Sequence, residues 1–254
     1  MISTQKIALV TGGSRGLGRN AAIALSRKGI DVIITYHTRK DEADKVVQEI
    51  ENSGRKAAAI QLDTGNVSFF DAFVSRLSAV LNERWNRNQI DILVNNAGFG
   101  IHASVAETTE GQFDNMMNVQ FKGVFFLSQK LFPHIVDNGR VVNVSTGLTR
   151  FVVEGFGAYA AMKGAIEVLT KYMAKEWGKR GIRVNVVAPG AIATDFGGGA
   201  VRDNPQMNEH VASNIALGRV GEADDIGGVI ASLCTEEFSW VNGTRLEVSG
   251  GQML

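Results

Sequence analysis

The sequence predicts a doubly wound α/β fold, a parallel sheet covered by helices on both faces. Three observations carry this. Short apolar runs rich in β-branched residues recur along the chain, as strands buried on both faces require. Longer amphipathic stretches separate them, and such alternation builds a parallel sheet. The first run leads straight into a glycine-rich turn, Thr11-Gly12-Gly13-Ser14-Arg15-Gly16-Leu17-Gly18.

In order, strand Ile7–Val10 precedes a helical pattern from Gly16 to Lys28, and Val32–Ile34 precedes Asp41–Asn52. Ala57–Leu62 precedes Ser68–Leu81, and Ile90–Val94 precedes one long helix from Glu110 to Phe132. Arg140–Val144 precedes Ala158–Lys179, and Arg183–Val187 leads into a Gly-rich loop. Helical pieces near Met207–Asn214 and Asp224–Cys234 and a strand near Arg245–Val248 complete the pattern. With 254 residues and no linker or repeat, a single domain spanning 1–254 is the expectation.

Composition narrows the function classes. Lys+Arg and Asp+Glu number 26 each, so no net field steers the chain onto nucleic acid or an anionic membrane. No apolar run approaches the ~18 residues of a membrane span. The apolar stretch before Thr11 is too short for a signal-peptide core, and the cytoplasm is the expected location. The one cysteine, Cys234, reads as a buried small hydrophobe, and no Cys/His cluster suggests a metal.

Ligands of such sheets bind beyond the carboxyl ends of the strands. The glycine turn lies there, between a strand and a helix. Gly12, Ser14, Gly16, Leu17 and Gly18 can bring backbone N–H groups and a helix N-terminus to a diphosphate. The second strand ends in Tyr36-His37-Thr38-Arg39-Lys40, without the acid that would receive a ribose 2′-hydroxyl. Arg15, His37, Thr38 and Arg39 suit a 2′-phosphate instead, so NADP(H) is expected over NAD(H).

Tyr159 and Lys163 are four apart in a helical pattern and share a face. An ammonium beside a phenol favours phenolate, and a phenol tuned in this way exchanges protons with a carbonyl or alcohol oxygen. Tyr36 and Lys40 have the same spacing but cross a strand-to-helix boundary, and are set aside.

Together the glycine turn, Asn95-Asn96-Ala97-Gly98, Asn143-Val144-Ser145-Thr146, Tyr159-Ala160-Ala161-Met162-Lys163 and Pro189-Gly190-Ala191-Ile192-Ala193-Thr194 resemble the short-chain dehydrogenase/reductase family over essentially the whole chain. The likeness is greatest to the branch of 3-oxoacyl-carrier-protein reductases and NADP(H) carbonyl reductases. The resemblance implies a Rossmann-type sheet of seven strands, order 3-2-1-4-5-6-7, and a homotetramer acting on a small carbonyl or alcohol substrate. It implies that Lys163 holds the nicotinamide ribose and that Asp63 and Thr64 border the adenine. Asn95, Ala97 and Gly98 would flank the cofactor, and Pro189, Gly190, Ile192 and Thr194 would meet the nicotinamide.

Two positions depart from the family. The carbonyl-polarising serine falls 13 residues before the tyrosine, where this chain has Thr146; Ser145 is adjacent, and because strand neighbours point to opposite faces, one of these two hydroxyls is expected in the pocket, with Thr146 favoured. The helical asparagine of the proton relay is replaced by Gln120, with Asn118 two residues earlier on a different face. His102, Arg150, Phe151, Glu154 and Phe156 are candidates to line the substrate mouth, and Phe196 to Arg202 reads as a lid. The phenylalanines at 113, 121, 125, 126 and 132 read as core or subunit-interface packing. A non-catalytic dinucleotide sensor is the alternative, though such a protein has no need to keep both Tyr159 and Lys163.

Overall fold

The computed structural model describes residues 5–254. Seven parallel strands form one sheet in the order β3-β2-β1-β4-β5-β6-β7, as expected. They are β1 Ile7–Val10, β2 Asp31–Tyr36, β3 Ala57–Gln61, β4 Ile90–Asn95, β5 Ile135–Val144, β6 Arg183–Pro189 and β7 Arg245–Val248. The helices are α1 Gly16–Arg27, α2 Lys40–Asn52, α3 Phe70–Trp85, α4 Glu110–Met117, α5 Gly123–Leu131, α6 Gly157–Trp177, α7 Ala200–Asp203, α8 Pro205–Ala212 and α9 Ala223–Leu233.

Two-residue alternation explains how one strand serves two layers. In β1, Ala8 and Val10 face a core built with Ala21, Leu25, Val46, Ile226 and Ile230 of α1, α2 and α9. Ile7 and Leu9 face the opposite core, with Phe70, Leu77, Leu127, Leu131 and Met173 of α3, α5 and α6. Every β1 residue is therefore fully buried, which is why the run is continuously apolar. At the α1–α9 crossing, a Cβ on Gly227 would lie 1.8 Å from Asn20 Oδ1, so only glycine lets the two helices meet.

The registers align the carboxyl ends of the central strands. Val10 lies beside Ile34 and Val94, and Asn95 beside Asn143. Strand order reverses between β1 and β4, and the glycine turn emerges at that switch point.

Two expectations are corrected. The helix predicted from Glu110 to Phe132 is interrupted by a π-helical turn, Asn118–Lys122. The extra residue in the turn carries Gln120 to a fully buried position, something a 3.6-residue pattern does not reveal. Strand β5 begins at Ile135, five residues early, and accommodates left-handed Asn138 (φ 62°) by a register shift opposite Ile90–Ile92. Asn138-Gly139 reads as a breaker in sequence, but here it is a bulge within the strand. No helix among the described residues is long and apolar enough to cross a membrane. Cys234 is buried, and burial pushes its thiol up to about 12.

Candidate active site

The glycine turn meets the requirements of a diphosphate cradle. Helix α1 starts without a side-chain cap and without an acid in its first turn, so its N–H groups and positive dipole end remain free for an anion. Gly12 and Gly16 are left-handed, with φ 65° and 54°. A Cβ on Gly18 would lie 2.2 Å from the carbonyl oxygen of Gly12, whereas one on Gly16 would meet nothing, leaving open space above the turn. Leu17 packs inward on the core and Ser14 is buried.

Asn96 holds this turn in place, a role the sequence reading missed. Its Nδ2 donates to the carbonyl of Thr11 at 2.9 Å, while the Thr11 hydroxyl accepts from the N–H groups of Asn96 and Ala97. The doubled asparagine was the available signal. Asn95 itself turns into the core and donates to Ser128 Oγ and Asn143 Oδ1 at 2.9 and 2.8 Å, so this amide steadies β4 rather than spending its donors above the sheet.

At the end of β2, His37, Thr38, Arg39 and Lys40 are exposed, and Tyr36 is half-buried against the core. Lys40 pairs with Asp44, whereas Arg39 has no ion pair among the described residues. Asp63 accepts from Gly65 N at 2.8 Å, and its other oxygen lies 3.9 Å from His37 Nε2. Thr64 fits its carbonyl against Gly123, where a Cβ would lie 2.0 Å away. Arg15 is drawn to Asp195 Oδ2 at 3.2 Å, a contact that sequence spacing does not show.

Helix α6 carries Tyr159 and Lys163 on its buried face, 7% and 4% exposed. Lys163 Nζ donates to the Val144 carbonyl at 2.8 Å and lies 5.8 Å from the Tyr159 ring centre. Burial pushes Lys163 down to about 7. Burial also raises the Tyr159 phenol well above its ordinary value, and hydrogen bonding with Thr146 only partly counters this. The expected lowering of the phenol by the lysine is thus not what these side chains produce by themselves. Both groups are desolvated, and burial disfavours the charged form of each, the phenolate as well as the ammonium.

Ser145 and Thr146 have different surroundings. Ser145 Oγ is 2.7 Å from Glu167 Oε1 and 3.4 Å from the Lys163 carbonyl, while Thr146 faces the phenol. Gln120 donates through Nε2 to the Phe99 carbonyl, and its buried Oε1 has no partner among the described residues. A Cβ on Gly98 would fall 2.6 Å from that Oε1, so glycine admits the bulkier amide.

After β6, Gly190 lets Ser249 and Gln252 close in, and Gln252 Oε1 accepts from Ala191 N at 2.8 Å. Pro189 ends β6, Ile192 bridges to Gly221, and Thr194 Oγ1 accepts from Phe196 N at 3.3 Å. Phe196 lies over Tyr159, with 5.4 Å between ring centres. Phe156 meets Tyr159 edge-on at 6.5 Å and His102 at 5.2 Å. Arg150 and Phe151 are elsewhere: Arg150 grips Glu247 at 2.6 Å and stacks on Phe151, fastening the C-terminal segment. Glu154 is exposed, and of the candidates between Thr146 and Tyr159 it is Phe156 whose ring meets that of Tyr159. No group of three or more potential metal ligands occurs among the described residues.

A dinucleotide-type cradle, a Tyr/Lys pair on one helix and a hydroxyl from the adjacent strand end define an oxidoreductase of the Rossmann type. A sequence profile described as enoyl-(acyl carrier protein) reductase matches residues 12–253. The trihydroxynaphthalene reductase PfmaI of Pestalotiopsis fici is 34% identical over 260 residues, covering 98% of this chain and 90% of the relative. Among solved structures, the reductase LugOII, which catalyses keto-reduction at C1 during lugdunomycin biosynthesis, superposes with a TM-score of 0.93 at 39% identity, covering 98% of both chains. The angucycline C-6 ketoreductase LanV with bound NADP gives 0.93 at 36% identity, over 98% of this chain and 95% of that one. The chain belongs to the short-chain dehydrogenase/reductase family.

Proposed function

We propose that this protein is an NADPH-dependent ketoreductase whose substrate is a planar, fused-ring aromatic ketone. One observation carries the reading: the Tyr159 phenol, near Thr146, has the rings of Phe196 and Phe156 against it, and His102 stands edge-on to Phe156. Two neighbouring hydroxyls suit a carbonyl oxygen, and flat aromatic walls suit a flat substrate. The solved relatives support this, since LugOII reduces a ketone and LanV is also known with NADP and rabelomycin.

In this reading the bound cofactor supplies hydride to the carbonyl carbon. Thr146 donates to the substrate oxygen and polarises the carbonyl. Tyr159, kept protonated by burial, passes its proton to that oxygen as the C–O bond becomes an alcohol. Lys163 holds the nicotinamide ribose, and Gln120 offers the free Oε1 to the path that restores the proton. The first turn of α1 takes the diphosphate, with Arg15, Thr38 and Arg39 around the 2′-phosphate. Asp63 and Thr64 border the adenine, and Ile192 and Thr194 meet the nicotinamide.

The whole chain acts as a single unit in a reducing compartment, the cytoplasm. Phe125, Val168 and Tyr172, which α5 and α6 leave exposed, form the contact of a homotetramer. Light scattering of the purified protein reports that state directly.

The activity test is NADPH oxidation with fused-ring aromatic ketones, simple diketones and a 3-oxoacyl thioester, with products identified by mass spectrometry. Aromatic alcohol formation is expected. Turnover of the thioester alone would move the substrate class, and cofactor binding with no turnover anywhere would favour the sensor.

A further inference from the structure

Asp195 stands between two guanidinium groups. Arg15 of the glycine turn reaches Oδ2 at 3.2 Å, and Arg202 of α7 binds Oδ1. The two contacts differ in what they tie together. Arg202 lies seven residues along the same segment, so its bond is internal and holds the carboxyl below the ordinary range. Arg15 lies 180 residues away in sequence. Apart from the Phe196 N–H bond to Thr194 just before it, Arg15 provides among the described residues the one hydrogen bond or ion pair that joins residues 195–203 to the cofactor end of the sheet.

That segment behaves as a strap. Phe196, next to Asp195, rests on Tyr159 and against Gly100, where a Cβ would meet its ring at 2.5 Å. Gly197, Gly198 and Gly199 follow with φ 61°, 76° and 81°. A Cβ on Gly197 or Gly198 would touch nothing, so backbone conformation and not packing requires glycine there. A glycine run beside a single tether allows the strap to pivot.

Arg15 therefore has two claimants. One is the Asp195 carboxylate; the other, which rests on the NADPH reading above, is the 2′-phosphate. We infer that Asp195 is a specificity residue: it competes with the 2′-phosphate for Arg15, so that NADP(H), and not NAD(H), frees the Asp195–Phe196 strap from the glycine turn. The exchange is physically easy. The Arg15 and Asp195 side chains are about half exposed, and such pairs are weak. A phosphate dianion offers a guanidinium more charge and a bidentate fit. Asp195 keeps Arg202 when Arg15 leaves, so no carboxylate is stranded.

The test measures NADP+ and NAD+ binding by titration calorimetry in wild type, Asp195→Asn and Arg15→Met, with hydrogen exchange read over residues 195–203. Asp195→Asn should tighten NADP+ by roughly two- to fivefold, the size of one weak surface pair, and leave NAD+ essentially unchanged. Exchange in the strap should be faster with saturating NADP+ than with saturating NAD+. NADP+ affinity unchanged or weakened in Asp195→Asn, or equal exchange with both dinucleotides, would overturn the inference while the cofactor reading stands. If wild type shows no preference for NADP+, or Arg15→Met leaves NADP+ binding intact, the assignment of Arg15 to the 2′-phosphate fails and takes the competition with it.

Discussion

Phe196 lies across Tyr159 with 5.4 Å between ring centres and 54° between planes, so one side chain of the loop after β6 covers the group that would carry the proton. The placement follows from local chemistry. Thr194 Oγ1 accepts from the Phe196 N–H, and the three left-handed glycines turn the chain back immediately afterwards.

If that ring forms a wall for a flat substrate, Phe196→Ala should lower kcat/KM for a fused-ring ketone by about five- to tenfold, equivalent to ~1–1.5 kcal/mol of aromatic contact. An acyclic diketone should lose little. Steady-state kinetics on both substrates checks this, and an equal loss on both would assign Phe196 to general packing.

Ser145 and Thr146 should separate cleanly. Thr146→Val keeps the shape but removes the hydroxyl beside Tyr159, and kcat should fall by about 10²-fold, as when one donor to a developing oxyanion is lost. Ser145→Ala should keep kcat within a few-fold and lower the unfolding temperature instead. It leaves Glu167, which also receives Arg245 at 2.8 Å and Thr149 at 2.7 Å, without one of its buried donors.

Lys163 makes a prediction about stability. Its pKa falls from 10.5 to about 7 on folding, so between those values the unfolded chain binds more protons than the folded one. Stability then rises with pH across that window, by at most about 1.4 kcal/mol per pH unit from this group. Tyr159, raised by burial, acts with the opposite sign only once free tyrosine ionises near pH ~10. Urea unfolding from pH 7 to 9.5 should therefore show wild type gaining on Lys163→Met as pH rises. Parallel curves would mean that Lys163 titrates normally in the fold.

The strands, the glycine turn and the Tyr159/Lys163 pair were legible because each leaves a local mark, whereas the order of the strands followed from the family resemblance. Strand β1 is apolar at every position because both of its faces are buried, and Tyr159 and Lys163 share a face because helical spacing places them there. What stayed hidden depends on distant partners. The π-helical turn under Gln120, the Asn96 bonds to Thr11 and the Arg15–Asp195 pair each join segments far apart in the chain or add one residue to a helix, and no period records them. The upward shift of Tyr159 in the protein alone was hidden for a related reason. Spacing shows that an ammonium is near, but the depth of burial decides whether it remains charged.

The most direct measurement is single-turnover oxidation of NADPH by Tyr159→Phe with a ketone that wild type reduces, alongside NADPH affinity from fluorescence titration. Loss of the phenolic oxygen should slow the chemical step by about 10³-fold or more, with affinity held within about twofold, because a proton donor is removed and the glycine cradle is untouched. A variant that still reduces the ketone at a rate close to wild type would show that the proton comes from another group.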